Sequence, residues 1–135
     1  MEEINLSNKR YNGETIAMFK RWLENRNAGK TFVDYFNEYG FGEIAIFDAG
    51  EIGRLLYDEI KESDIKVLCF IDRNAEGIKE IDGIPVLQIK DIDKLPDVDI
   101  VVTSPVYQYD AVVKMLVNIN PKIRTIYMKD AVYEF

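Results

Sequence analysis

Apolar positions follow two different periods along this chain. Between Thr15 and about Asn25, Ile16, Phe19 and Leu23, with the neighbouring Trp22, recur at spacings of three and four, which predicts an amphipathic helix ended by Asn27-Ala28-Gly29. Thr31 to Tyr39 predicts a second, shorter helix with Phe32, Tyr35, Phe36 and Tyr39 on one stripe and Gly40 as its C-cap. Residues 1–13 are polar and rich in turn formers, so they are expected as a lead-in to a helical hairpin.

From Glu43 the period changes. Glu43–Phe47 and Lys66–Ile71 are short apolar runs, the mark of strands buried on both faces. Glu51–Lys61 separates them as a helix, with Ile52, Leu55, Leu56 and Ile60 on one face. Asp72-Arg73-Asn74 begins a polar loop, and Ile81 to Leu87 reads as a turn and a brief strand. Asp91–Leu95 predicts one helical turn, Asp99–Val102 a strand, Tyr109–Val117 a helix, Ile123–Tyr127 a last strand and Lys129–Tyr133 a terminal turn. Strands alternating with helices predict βαβ units. The expected fold is therefore α/β, a three-layer arrangement around a mostly parallel sheet of order 3-2-1-4-5. Residues 1–40 add the lead-in and hairpin to the same domain as 41–135.

In such a sheet, ligands bind at the carboxyl ends of the strands, beside the point where strand order reverses. The first strand there runs into Asp48-Ala49-Gly50-Glu51-Ile52-Gly53 and then a helix. This is a dinucleotide-binding fingerprint, G-x-G-x-x-G, with Asp48 in the place of its first glycine. Gly50 would let a pyrophosphate approach the backbone at the helix N-terminus, and Gly53 would let helix and strand pack closely. Asp72 follows Gly53 by 19 residues, where an acidic side chain meets an adenosine ribose. Asp48 and Glu51 oppose an anionic ligand: charges ~5 Å apart repel by roughly 3 kcal/mol at an effective dielectric of ~20. Arg54 or Arg73 would have to compensate. Two readings stay open, a crevice that takes a nucleotide and glycines that serve packing alone.

Composition narrows the chemistry. The chain has no histidine, so a Ser-His-Asp triad, a Cys-His pair and a histidine-ligated zinc are excluded. A net charge of −7 argues against nucleic acid, which needs a basic face. No apolar run is long enough to span a bilayer, the N-terminus is no secretory signal, and a single cysteine fits a reducing compartment, so a cytoplasmic location is expected.

Ile44–Leu56, Val67–Asn74 and Asp82–Leu87 resemble the Rossmann-like domains of bacterial polysaccharide-biosynthesis proteins, such as those that precede sugar acetyltransferases or follow sugar C-methyltransferases. The resemblance spans about residues 41–130 and rests chiefly on Phe70-Ile71-Asp72-Arg73-Asn74 with Gly83-Ile84-Pro85-Val86. It implies a NAD(P)-binding-like fold and an accessory role in glycan assembly, with Gly50, Gly53 and Asp72 at a nucleotide-sugar. Asp48 departs from the family's usual glycine. The candidate ligand-binding set is Gly50, Glu51, Ile52, Gly53, Asp72, Arg73, Thr103 and Ser104, with a nucleotide-sugar or NAD(P) as ligand, no catalytic residue and no metal.

Thr103 and Ser104 are expected either to touch that ligand or to cap the next helix. Tyr107 or Tyr109 would cover a ring or pack on the hairpin, and Cys69 reads as a buried inert thiol. Asp91, Asp93, Asp97 and Asp99 read as a solvated connection, and Lys20, Arg21 and Arg26 as the wet face of the first helix. Phe19, Trp22, Phe32, Tyr35, Phe36 and Tyr39 either cover the sheet or form an interface. The functions in play are a non-catalytic nucleotide or nucleotide-sugar module, a module that dimerises or docks on a glycosyltransferase, and a small oxidoreductase.

Overall fold

The structure is a computed structural model that describes residues 11–73, 77–106 and 108–135. Most of the expected lead-in, together with Asn74 and Tyr107, lies outside the described residues. A mostly parallel six-stranded sheet forms the centre: β1 (Glu43–Phe47), β2 (Lys66–Asp72), β3 (Glu80–Ile81), β4 (Ile84–Gln88), β5 (Ile100–Thr103) and β6 (Thr125–Tyr127), in the order β3-β4-β2-β1-β5-β6. All neighbours run parallel except β3 and β4. The order departs from the five-strand expectation by β3, a two-residue strand joined to β4 through Asp82 and Gly83, both at positive φ. A strand of two residues carries no period, and Asp-Gly is a strong hairpin turn.

Helices α1 (Gly13–Asn27), α2 (Phe32–Tyr39), α3 (Glu51–Ile60), α4 (Tyr109–Ile119) and α5 (Met128–Ala131), with a 3-10 helix at Ile89–Lys94, surround the sheet. Alternation along β1 divides the core. Ile44 and Ile46 join Leu56, Ile60, Phe36 and Met128 on one face, while Ala45 and Phe47 join Cys69, Ile71, Val112 and Leu116 on the other. Helices therefore cover both faces, which is why the central strands read as continuous apolar runs.

Two expectations for the N-terminal helices are corrected. Asn12 is the N-cap of α1, its Oδ1 accepting from the Thr15 N–H at 2.9 Å, so the helix starts inside the supposed lead-in. Its buried face is Thr15, Met18, Trp22 and Asn25, and Leu23, assigned to the apolar stripe, is 60% exposed. Asn25 is buried because its Nδ2 donates to Val132 O at 2.8 Å. The expected helical hairpin is not shown: α1 packs chiefly on α5 and α2 on α3, and Trp22 and Phe32 meet edge to face. The capping box of Thr31 and Asp34 and a left-handed Gly40 bound α2. Trp22, Phe32, Tyr35 and Phe36 are buried against the sheet, which uses their area for the core.

Asp99 is a further correction. It is no solvated connector, because its Oδ2 accepts from the Gly42 and Glu43 N–H groups at 2.9 and 3.0 Å and so ties β5 to the start of β1. Arg26 is not merely wet either, since it pairs with Glu59 at 3.3 Å.

Candidate functional site

β1 lies where strand order reverses, with β2 on one side and β5 on the other. Asp48 follows it with φ of 144°, a backbone region that favours glycine. Its N–H still donates to Ile71 O at 2.8 Å, so the chain leaves the sheet within one residue. The carboxylate then folds back over the start of α3. Oδ1 accepts from the Gly50 N–H at 2.5 Å. Oδ2 accepts from the Gly53 N–H at 3.2 Å and from the Ser104 hydroxyl at 2.6 Å. Helix ends leave such N–H groups without intrahelical partners, and negative charge there is favourable. A side chain of this protein thus supplies the anion that the turn attracts. The backbone strain, roughly 1–3 kcal/mol, is offset by these charge-assisted bonds.

The glycines fit this arrangement. A Cβ on Gly53 would lie 1.9 Å from the Asp48 carbonyl oxygen, so only hydrogen fits where helix and turn meet. A Cβ on Gly50 would lie 2.8 Å from Asp48 Oδ1, so Gly50 faces that carboxylate. Asp72 ends β2, and its Oδ2 accepts from the Ala49 N–H at 2.8 Å. Arg54 Nε donates to Ala49 O at 2.9 Å. Asp48, Ala49 and Gly50 are consequently fastened to β2, α3 and Ser104.

Gly50, Gly53, Asp72 and Ser104 meet around Asp48, and Glu51, Ile52 and Arg73 line the surface beside it. Glu51 is exposed and accepts a hydrogen bond from the Tyr11 hydroxyl. Ile52 is buried in the core and also lines the open space beside Pro105 and Val106. Thr103 and Ser104 do not cap the next helix: Gln108 is the N-cap of α4, Ser104 is committed to Asp48, and the Thr103 hydroxyl is buried without a hydrogen-bond partner among the described residues. Ser104→Ala removes one bond to an ionised acceptor and is expected to cost about 1.5–2 kcal/mol. Urea unfolding should show a lower midpoint at unchanged slope, and an unchanged midpoint would refute the bond's role.

Cys69 is buried in β2, and burial pushes its thiol up to about 12. It should resist a thiol reagent at neutral pH until urea unfolds the chain. The unfolded thiol ionises near 9.0 and the folded one near 12. Its contribution to stability is therefore complete below pH ~9 and falls as pH rises through that window. Rapid native labelling at neutral pH would contradict the burial.

A crevice opens above the strand ends. One part, about 190 Å3, is bounded by Asp48, Asp72, Arg73, Pro105 and Val106. A larger part, about 530 Å3, shares Pro105 and Val106 and reaches Thr15, Tyr109, Tyr127 and Lys129. Tyr109 and Tyr127 stack with centroids 3.9 Å apart, and the Tyr127 hydroxyl lies 3.4 Å from both Val106 N and Val106 O. Thr15, Tyr127 and Lys129 were missed from sequence. The signal existed for two of them: Tyr127 and Lys129 stand at the carboxyl end of the last strand, the same kind of position that singled out Thr103 and Ser104.

The family model described as C2185-like, N-terminal, matches residues 41–126, from just before β1 into β6. The chain belongs to the C2185-like N-terminal family. The match contains the Asp48 turn, Asp72 and Ser104, whereas Thr15, Tyr127 and Lys129 fall outside it. One wall of the larger crevice is thus built by parts of the chain flanking the family match. No curated protein and no solved structure matches the chain.

Proposed function

We propose that this chain is a non-catalytic, Rossmann-like module that binds a nucleotide or nucleotide-sugar in bacterial surface-polysaccharide assembly. The observation that carries the reading is the crevice itself: it lies at the carboxyl ends of parallel strands, on both sides of Pro105 and Val106, where α/β sheets hold ligands. The glycan setting is supported by the resemblance of residues 44–56, 67–74 and 82–87. The absence of catalysis is supported by the state of Asp48, whose carboxylate is committed to two N–H groups and Ser104 and is not poised as a base. With the β1–α3 turn occupied, the ligand is held through its rings and hydroxyls along the crevice, and not by pyrophosphate at Gly50. A reducing cytoplasm suits such a role.

Amide NMR titration with UDP-sugars, NAD(P) and coenzyme A tests the reading. At least one nucleotide-sugar should shift Val106, Gln108 and Tyr127 at millimolar concentration, and no response to any of them would overturn it. A second reading, a module that dimerises or docks on a glycosyltransferase, is favoured by a groove of about 340 Å3 between α1 and α3, where Leu23 and Leu55 are exposed. A monomer at high concentration in sedimentation would remove its homodimer form.

A further inference from the structure

We propose that Lys129 is the anion-binding residue of the crevice, taking the phosphate of a sugar phosphate or nucleotide-sugar that the Asp48 turn excludes. The inference rests on the crevice being a ligand site. Asp48 fills the usual phosphate position with a carboxylate, so a phosphorylated ligand needs a cation elsewhere. Lys129 lines the larger part of the crevice, and its side chain is only 15% exposed. Its stem is packed and its ammonium lies above the Tyr127 ring, 5.9 Å from the centroid. Tyr127 is held in turn by Tyr109 and by the Val106 backbone, so the cation stands on a fixed aromatic floor.

The ammonium's partner is Glu14, 3.2 Å away and 82% exposed. An ion pair with so solvated a carboxylate contributes little. A phosphate brings more charge and more acceptor oxygens, and it can displace Glu14 at small cost. Glu14, near the start of α1, is then a built-in competitor at the crevice mouth. The ligand class follows: a ring able to lie along Tyr109 and Tyr127, bearing a phosphate that reaches Lys129.

Calorimetric titration with glucose 1-phosphate, UDP-N-acetylglucosamine and uncharged N-acetylglucosamine tests this on the full chain. Lys129→Met should weaken the two phosphorylated probes by about tenfold and leave the neutral sugar unchanged. Glu14→Gln, at an exposed position, should tighten the phosphorylated probes a few-fold. Phosphorylated probes that bind both variants as they bind the unaltered chain would overturn the role of Lys129 while keeping the ligand site. No binding of any of the three probes to the unaltered chain would overturn the Lys129 proposal, and a nucleotide responding in the wider NMR panel would then preserve the ligand site alone.

Discussion

Gly53→Ala is expected to destabilise the protein by about 3 kcal/mol, the upper part of the usual range for overpacking. Alanine is the better helix former by ~1 kcal/mol, so helix propensity alone would make the change favourable. Geometry reverses the sign. The added carbon would lie 1.9 Å from the Asp48 carbonyl oxygen and 2.8 Å from its carbon, both backbone atoms. That backbone cannot easily move aside. Its N–H is bonded to Ile71 O, and its side chain is bonded to Gly50, Gly53 and Ser104. Urea unfolding should show a much lower midpoint at unchanged slope, and a midpoint equal to or above that of the unaltered chain would contradict the close approach.

Glu59→Ala is expected to cost about 3 kcal/mol for a different reason. The Glu59 side chain is 2% exposed and joins three partners. Oε1 accepts from Trp22 Nε1 at 3.0 Å and pairs with Arg26 Nε at 3.3 Å. Oε2 accepts from the Phe32 N–H at 2.9 Å. One carboxylate therefore fastens α3 to both N-terminal helices. Alanine strands the indole and amide donors, whereas the Arg26 guanidinium is half exposed and returns to water. Glu59→Gln keeps an acceptor and should cost about 1 kcal/mol. A Glu59→Ala variant within about 0.5 kcal/mol of the unaltered chain would refute the link.

The sheet was legible in the sequence because helices cover both of its faces. Burial on two sides turns β1, β2 and β5 into apolar runs that no other element mimics at that length. The stripe of α1 was less legible. Thr15 and Asn25 are polar yet buried, and Asn25 is there for a hydrogen bond to Val132. Residue 132 is too distant in sequence for any local period to report it. The separate partners of α1 and α2 are tertiary choices of the same kind.

At the candidate site the sequence brought Gly50, Gly53, Asp72 and Ser104 into one neighbourhood, and charge counting read Asp48 as opposing an anionic ligand without showing how. Two carboxylates near a helix N-terminus suggest repulsion of a ligand. The side-chain direction shows that one of them, Asp48, is the anion bound there, and that Glu51 turns away to Tyr11. A position that needs a glycine-like φ tolerates aspartate because the strained residue caps the helix it precedes.

The most direct measurement is an NMR titration of the Gly50 and Gly53 amides with pyrophosphate, in the unaltered chain and in Asp48→Gly. Glycine accepts the φ of 144° without strain and removes the carboxylate that holds both N–H groups. Both resonances should stay in place in the unaltered chain and move saturably in the variant. Saturable movement of both amides in the unaltered chain would contradict the claim that Asp48 occupies the anion position of this turn.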